Sequence, residues 1–400
     1  MGVARGSGDA ALRVGIVGAG FIGDVHARAA RRAGARVVGI VASTPERTEQ
    51  AAARVGAELI FRDGIELITS DDVDVVHLCT PNDLHQPLAD AALASGKHVV
   101  CEKPLAVSVA DARALCASAD AAGLVAAVPF VYRFYPMVRE ARARLASQAG
   151  PVRLIHGSYL QDWLSTEEDD NWRVDSSRGG ASRAFADIGS HWCDLVEFVT
   201  GDRIASVCAE LITALPERLS AGEGLHAFER RASSDGSVRS VDTEDVALVI
   251  FRTAGGVTGS VVVSQISSGH KNQLRFEVAA ADVTLAFDQE QPDVLWVGRR
   301  GPSEVVARDA AHLSAPAAAY VTLPPGHPQG YQDCFDAFVA DVYRAIALGS
   351  TDAVDGLPTF VDGLRAVQIT DAVLRSADGH RWVDVELGEA SAAARTERVS

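Results

Sequence analysis

Short apolar runs without polar alternation recur through the first 130 residues, at 12–17, 35–41, 74–79, 98–101 and 124–128. A strand covered on both faces shows this unbroken pattern, as in a parallel sheet. The intervals read as helices, among them 45–55, 84–94 and 108–122. Alternating strands and helices predict right-handed βαβ units and a doubly wound sheet. Ligands of such sheets sit beyond the carboxyl ends of the strands.

After Pro136 the pattern changes. A helix over 137–147 leads to a strand over 152–160, a polar loop containing tryptophans, and a helix over 187–199. Strands at 206–212, 245–252, 257–265, 272–280 and 283–287 follow, two of them joined by the hairpin signal Gly255-Gly256. Consecutive strands on short turns predict a large, mainly antiparallel open sheet within an α+β domain. Residues 216–241 are charged and rich in Ser and Gly, and read as a long surface loop. Helices over 330–348 and 358–376 and a strand over 382–385 close this domain, leaving 387–400 as a mobile tail.

The turn after the first strand carries chemistry. Gly18-Ala19-Gly20-Phe21-Ile22-Gly23 lies between an apolar strand and an Ala/Arg-rich helix over 26–33. Gly18 allows a tight turn, Gly20 lets the backbone approach a pyrophosphate, and Gly23 lets helix and strand pack closely. The helix N-terminus offers unpaired N–H groups to phosphates, with Phe21 and Ile22 beside them. The first domain, residues 1–133, therefore reads as a Rossmann dinucleotide-binding domain. Residues 134–400 read as the substrate-binding and oligomerisation domain. At the end of the second strand, Ala42 stands where a ribose-binding acid is usual, followed by Ser43, Thr44 and Arg47. Without that acid a 2′-phosphate is not repelled, and Ser43, Thr44 and Arg47 could hydrogen-bond one. Alternatively Ser43 or Thr44 merely caps the next helix. NAD and NADP both remain open.

Two further segments fall where the rest of a dinucleotide should lie. Thr80, Pro81, Asn82 and His85 follow one strand, and Glu102-Lys103-Pro104 follows the next. Lys103 beside a nicotinamide could hydrogen-bond a hydroxyl; the plainer alternative is a solvated lysine paired with Glu102. In the second domain Asp187 and His191 are four apart on a predicted helix, with Asp194 three further on. An imidazole there suits proton abstraction from an alcohol, and the alternative is a capping aspartate with a packed histidine.

Composition narrows the classes. The net charge of −16 argues against nucleic acids and anionic membranes as partners. Six cysteines show no C-x-x-C pair and read as free thiols in a reducing compartment, hence a cytoplasmic protein. Residues 1–11 are polar and Gly-rich and read as a tail without a signal-peptide core. No metal is expected, since His191 with Cys193 falls short of a zinc ligand set.

Together these segments resemble the Gfo/Idh/MocA family, over nearly the whole chain. The resemblance rests on the glycine turn, Thr80-Pro81-Asn82, Glu102-Lys103-Pro104, Tyr132-Arg133-Phe134, Asp187-Ile188-Gly189-Ser190-His191 and Arg381-Trp382-Val383. It implies Lys103 and His191 as the catalytic pair, with Asp187 binding substrate or assisting the base. It also implies dimers or tetramers formed through the open sheet face. Tyr159-Leu160-Gln161-Asp162-Trp163 and Trp172-Arg173 resemble the levoglucosan dehydrogenase-like subgroup of sugar and cyclic-polyol dehydrogenases. Tyr132, Arg133, Gln161, Asp162, Trp163, Trp172 and Arg173, with Asp187 and His191, are the expected substrate contacts. An indole covers the C–H face of a pyranose, and polar groups satisfy its hydroxyls; core packing or a subunit interface is the alternative role for Trp163 and Trp172. Arg183, in a segment that departs from the family's Gly-Gly-Gly, is expected to add positive charge to the pocket. The implied activity is NAD(P)-dependent oxidation of a sugar or cyclic polyol. The alternatives are glycoside cleavage by transient oxidation and elimination, or a non-catalytic dinucleotide sensor.

Overall fold

The computed structural model describes residues 11–219 and 237–387. β1 (Arg13–Val17), β2 (Arg36–Val41), β3 (Val75–Leu78), β4 (His98–Cys101) and β5 (Ala126–Ala127) form a parallel sheet in the order β2-β1-β3-β4-β5. The connecting helices are α1 (Phe21–Arg32), α2 (Pro45–Val55), α3 (Gly64–Thr69), α4 (His85–Ala94) and α5 (Val109–Ala122). Val14, Ile16, Val75, Val76, Val99 and Val100 are fully buried, because helices cover both faces. α1 starts at Phe21, ahead of the expected 26, since Gly20 is extended and serves as the N-cap. The short α3 was not expected. Its six residues are too few to show a period, and Asp63 caps it by accepting the Glu66 N–H at 2.9 Å.

α6 (Pro136–Gln148) leads into the second sheet. Its strands are β6 (Val152–Leu160), β7 (Ile204–Ile212), β10 (Val246–Thr253), β11 (Thr258–Ser264), β12 (Gln273–Ala280), β13 (Thr284–Asp288), β14 (Val294–Gly298), β15 (Glu304–Ala307) and β16 (Val383–Asp384). Their order is β15-β14-β13-β12-β6-β11-β10-β7-β16, antiparallel throughout except between β6 and β11. β14 and β15 escaped the sequence reading, being short strands at one end of the sheet, beyond the obvious apolar runs. One face is covered by helices and the other is open. On β10, Ala247, Val249 and Phe251 are buried while Leu248 and Ile250 are 41% and 48% exposed.

The remaining helices are α7 (Ser176–Gly179), α8 (Ser190–Thr200), α9 (Ala315–Ala318), α10 (Tyr331–Leu348) and α11 (Phe360–Gly379). α10 packs along α1 and α11 along α5, and Thr359 bridges to Ala127, so the C-terminal helices return to the first sheet's layer. The expected helix over 187–199 is two pieces. Phe185–Gly189 is a π turn, with the Ser190 N–H donating to the Phe185 carbonyl, and α8 follows.

The expected long loop at 216–241 is also corrected. Its ends pair as an antiparallel ribbon, β8 (Glu217–Leu219) and β9 (Val238–Ser240). The ribbon is anchored by a fully buried Arg218 that bonds Asp245 at 2.8 Å. The middle of that segment, and all but the innermost residue of each of the tails expected at 1–11 and 387–400, lie outside the described residues. All six cysteines are free, with Cys116 and Cys208 only partly buried. Among the described residues no helix is long and apolar enough to cross a membrane, and no cluster of metal-ligating side chains occurs.

Candidate active site

A cleft of about 950 Å³ runs from the glycine turn, past the ends of the parallel strands, to the loops of the second domain. Each glycine at its mouth has a distinct reason. Gly18 has φ +109°, and a Cβ there would sit 2.2 Å from the Cys79 carbonyl. A Cβ on Gly23 would sit 2.2 Å from the Gly18 carbonyl, so Gly23 supports the turn and does not line the cleft. Around Gly20 no atom lies within 4 Å of a built Cβ. No neighbour in the fold needs that space, so the missing side chain leaves room at the uncapped start of α1. A dinucleotide's pyrophosphate fits there.

At the adenosine end the cleft is lined by Ala42, Ser43, Thr44 and Arg47. Thr44 takes the capping role, its hydroxyl accepting the Arg47 N–H at 3.3 Å. Arg47 turns its guanidinium to the Ser43 hydroxyl at 3.3 Å. Arg54 and Arg62 also line this end, but they pair with Asp24 and Asp63.

Further along, Thr80, Pro81, Asn82 and Glu102 line the cleft. Asn82 donates to the Gly179 carbonyl at 2.8 Å, tying this wall to α7. His85 does not reach the cleft, contrary to expectation. It is fully buried between the Pro104 carbonyl at 2.7 Å and the Thr80 carbonyl at 2.9 Å, where it fixes both loops.

Lys103 and Asp187 meet at the inner end. The Lys103 ammonium donates to Asp187 Oδ1 at 2.6 Å and to the Asp187 carbonyl at 2.9 Å. Asp187 also receives Gln265 at 2.8 Å and faces Arg173 at 3.3 Å. Burial opposes its charge, but Lys103 and Arg173 prevail and hold its carboxyl well below the usual range. An ammonium has three N–H groups, so one remains for a further acceptor. His191 lines the same end, edge-on to Tyr132 with ring centroids 5.0 Å apart. Burial, helped by the Lys103 charge, lowers its pKa to about 3, so the ring is neutral at neutral pH.

The outer wall comes from the end of β6 and the loop after it, with Tyr132 added from the turn ahead of α6. Tyr132, Gln161, Trp163, Trp172 and Arg173 line the cleft, and the Arg173 guanidinium lies 4.5 Å from the Trp172 ring centre. Asn272, which no motif singled out, joins them. It accepts from Tyr159 at 2.7 Å and Gln161 at 2.8 Å, and Gln161 in turn accepts from the Trp163 indole at 2.9 Å. Lys271, Arg178 and Tyr331 also line the cleft unanticipated. Their positions depend on strand pairing, on α7 and on α10, which no local motif encodes.

Four expected site residues lie elsewhere. Arg133 is buried in an ion pair with Asp194 and Asp362, away from the cleft lining. The same pair removes Asp194 from the Asp187–His191 side of its helix. Asp162 holds Lys271 at 2.6 Å and the Gly269 N–H at 3.0 Å and does not itself line the cleft. Arg183 is fully buried against Asp245, so it adds no charge to the pocket.

A parallel sheet with a glycine turn, joined to an acid–base cluster at its carboxyl edge, defines a dinucleotide-binding oxidoreductase. Residues 12–130 match the model of an oxidoreductase family with an NAD-binding Rossmann fold, and 138–286 match the GFO/IDH/MocA C-terminal domain. The chain belongs to the Gfo/Idh/MocA family of NAD-binding oxidoreductases. It is 31% identical to levoglucosan dehydrogenase of Pseudarthrobacter phenanthrenivorans, covering 94% of this chain and 98% of that protein. It is 29% identical to inositol 2-dehydrogenase of Acidothermus cellulolyticus, covering 92% and 93%. The solved structure of a levoglucosan dehydrogenase in complex with NADH and L-sorbose superposes with TM-score 0.85 at 31% identity, covering 94% of this chain and 99% of that one.

Proposed function

We propose that the chain oxidises a secondary alcohol of a sugar, sugar derivative or cyclic polyol. The observation that carries this is the Lys103–Asp187–His191 cluster at the inner end of a cleft walled by Trp163, Trp172 and Arg173. A nicotinamide dinucleotide, when bound, supplies the hydride acceptor. Gly18–Gly23 and the start of α1 hold its pyrophosphate, and Thr80, Pro81, Asn82 and Glu102 line its path. The free N–H of Lys103 holds the alcohol oxygen. Neutral His191 takes the hydroxyl proton. Asp187 holds the Lys103 ammonium in place, and Gln265 and Arg173 keep Asp187 in place. The indoles and Arg173 orient the ring and exclude water. A panel of sugars and cyclic polyols, read by absorbance of reduced cofactor, tests the reading. A folded protein that reduces cofactor with none of them would overturn it.

Trp172→Ala is expected to raise the Michaelis constant more than it lowers turnover, because ring stacking is nearly equal in ground and transition states. Equal loss in turnover alone would place Trp172 outside the ground-state complex. NADP should be accepted alongside NAD, because Ala42 carries no charge and Arg47 is available. Ala42→Asp should shift preference toward NAD, measured as the ratio of the two cofactors' kcat/KM; an unchanged ratio would remove this strand end from the cofactor site. The apolar residues Leu154, Leu248, Ile250, Val262 and Trp296 on the open sheet face, each at least 40% exposed, support self-association there. Sedimentation of the full chain as a monomer would refute this.

A further inference from the structure

Glu102 ends the strand that carries Lys103 into the site. It lines the cleft yet is 8% exposed. A carboxylate so enclosed needs partners. Its Oε2 accepts the Lys103 backbone N–H at 3.1 Å. Its Oε1 lies 3.2 Å from Nε2 of His26, on α1. His26 is fully buried, and its Nδ1 lies 2.8 Å from Nδ1 of His77, on β3. His77 is also fully buried, and its Nε2 lies 3.1 Å from the Tyr343 hydroxyl, on α10. Among the described residues no Lys or Arg side chain lies within ion-pair distance of Glu102. The Lys103 ammonium and the Arg173 guanidinium both go to Asp187.

The proton positions in this row follow from its ends. An ionised carboxylate only accepts, so His26 Nε2 carries a hydrogen. A cationic His26 would donate from Nδ1 as well, forcing His77 Nε2–H onto the Tyr343 oxygen and leaving the Tyr343 hydroxyl hydrogen without an acceptor among the described residues; a neutral ring has a bare Nδ1, which accepts from His77 Nδ1–H. That leaves His77 Nε2 bare, and Tyr343 O–H donates to it. Every contact has one donor and one acceptor. In the opposite arrangement Glu102 is protonated, every hydrogen bond reverses, and the Tyr343 hydroxyl hydrogen has no acceptor among the described residues. Burial also holds the His77 ring far from protonation, which keeps charge out of the middle of the row.

We propose that the row Tyr343–His77–His26 holds Glu102 ionised as the counter-charge for the cationic, oxidised nicotinamide, and so sets the relative affinity for NAD+ and NADH. The proposal rests on the dehydrogenase reading above. Of the two redox forms only the oxidised ring is positive, so a fixed carboxylate in the wall favours binding NAD+ and releasing NADH after hydride transfer. Glu102 acts through this charge, and the two histidines and Tyr343 are positioning residues.

The test compares dissociation constants of NAD+ and NADH, by calorimetry and by NADH fluorescence, for the full chain and for Glu102→Gln. An amide keeps the side chain's size and can be met by reversing both ring tautomers. The Kd for NAD+ is expected to rise about tenfold, the worth of one partly screened charge, while that for NADH stays within about twofold. A tenfold change in the ratio corresponds to about 30 mV on the bound two-electron couple. An unchanged ratio, or equal loss of both affinities, would overturn the proposal while leaving the dehydrogenase reading intact. Wild-type protein that binds neither form would overturn both. Independently of the variant's stability, nitrogen-15 spectra of wild-type histidines should show His26 protonated on Nε2 and His77 on Nδ1. Either ring found cationic, or both tautomers reversed, would also overturn it.

Discussion

His191→Ala is expected to lower turnover by about 10²–10⁴-fold, the usual worth of a positioned acid–base group, with dinucleotide affinity largely kept. The imidazole is neutral and lines the same end of the cleft as Lys103, yet it contributes nothing to the glycine turn at the other end. Its Nδ1 is buried without a hydrogen-bond partner in the fold, so removing the ring strands no other group. Lys103→Ala should cost turnover on the same scale. Asp187 would keep Gln265 and Arg173 as partners, so the cluster should stay folded around the gap. The measurements are steady-state kinetics on the best substrate and equilibrium cofactor binding. Near-normal turnover in His191→Ala would reduce His191 to a packed helix residue.

The second large effect is on stability and falls outside the cleft. Asp245 is fully buried and bonded by both Arg183 and Arg218, which are themselves buried. Asp245→Ala would leave two guanidinium charges without their shared carboxylate. Breaking a buried ion pair from one side costs about 3–5 kcal/mol. In a chain of this size that corresponds to a fall in melting temperature of about 4–6 °C. The substrate wall should loosen too. Arg218 also donates to the carbonyls of Leu164, Thr166 and Asp169, in the loop between Trp163 and Trp172. Asp371→Ala, which breaks an exposed pair with Arg375, is the control and should move the melting temperature by a small fraction of that amount. Equal effects of the two substitutions would refute the assigned role of Asp245.

Much of this was legible locally. The nearly unbroken apolar runs marked β1 to β4 to within a residue or so, because burial on both faces leaves little room for a polar side chain inside a strand, His77 in β3 being the exception. The glycine turn was legible because each glycine answers a backbone need. Lys103, Asp187 and His191 came from spacing and resemblance, and the fold brings them to one end of the cleft. Charge partners were not legible. Arg133 and Arg183 looked like pocket cations from their neighbours in sequence, yet Asp194, Asp362 and Asp245 pair with them in the core, and all three lie more than 60 residues away along the chain. Asn272 and Gln265 were missed for the same reason. Asn272 reaches the cleft, and Gln265 reaches Asp187, only because β11 and β12 flank β6, and no local period reports which strand will be the neighbour.

The π turn at Phe185–Gly189 makes chain length itself a determinant of the site. A π turn holds one residue more than the α-helical turn it replaces. Deleting a residue within it would yield an unremarkable helix, in which the residues ahead of the deletion rotate by about 100° relative to those behind. His191 would stay on its sheet-packed segment while Asp187 turned away from Lys103. Homologous segments one residue shorter could therefore share every side chain of the cluster and still lack the ion pair at its centre. Pairing such sequences by matching residue types alone would conceal the difference.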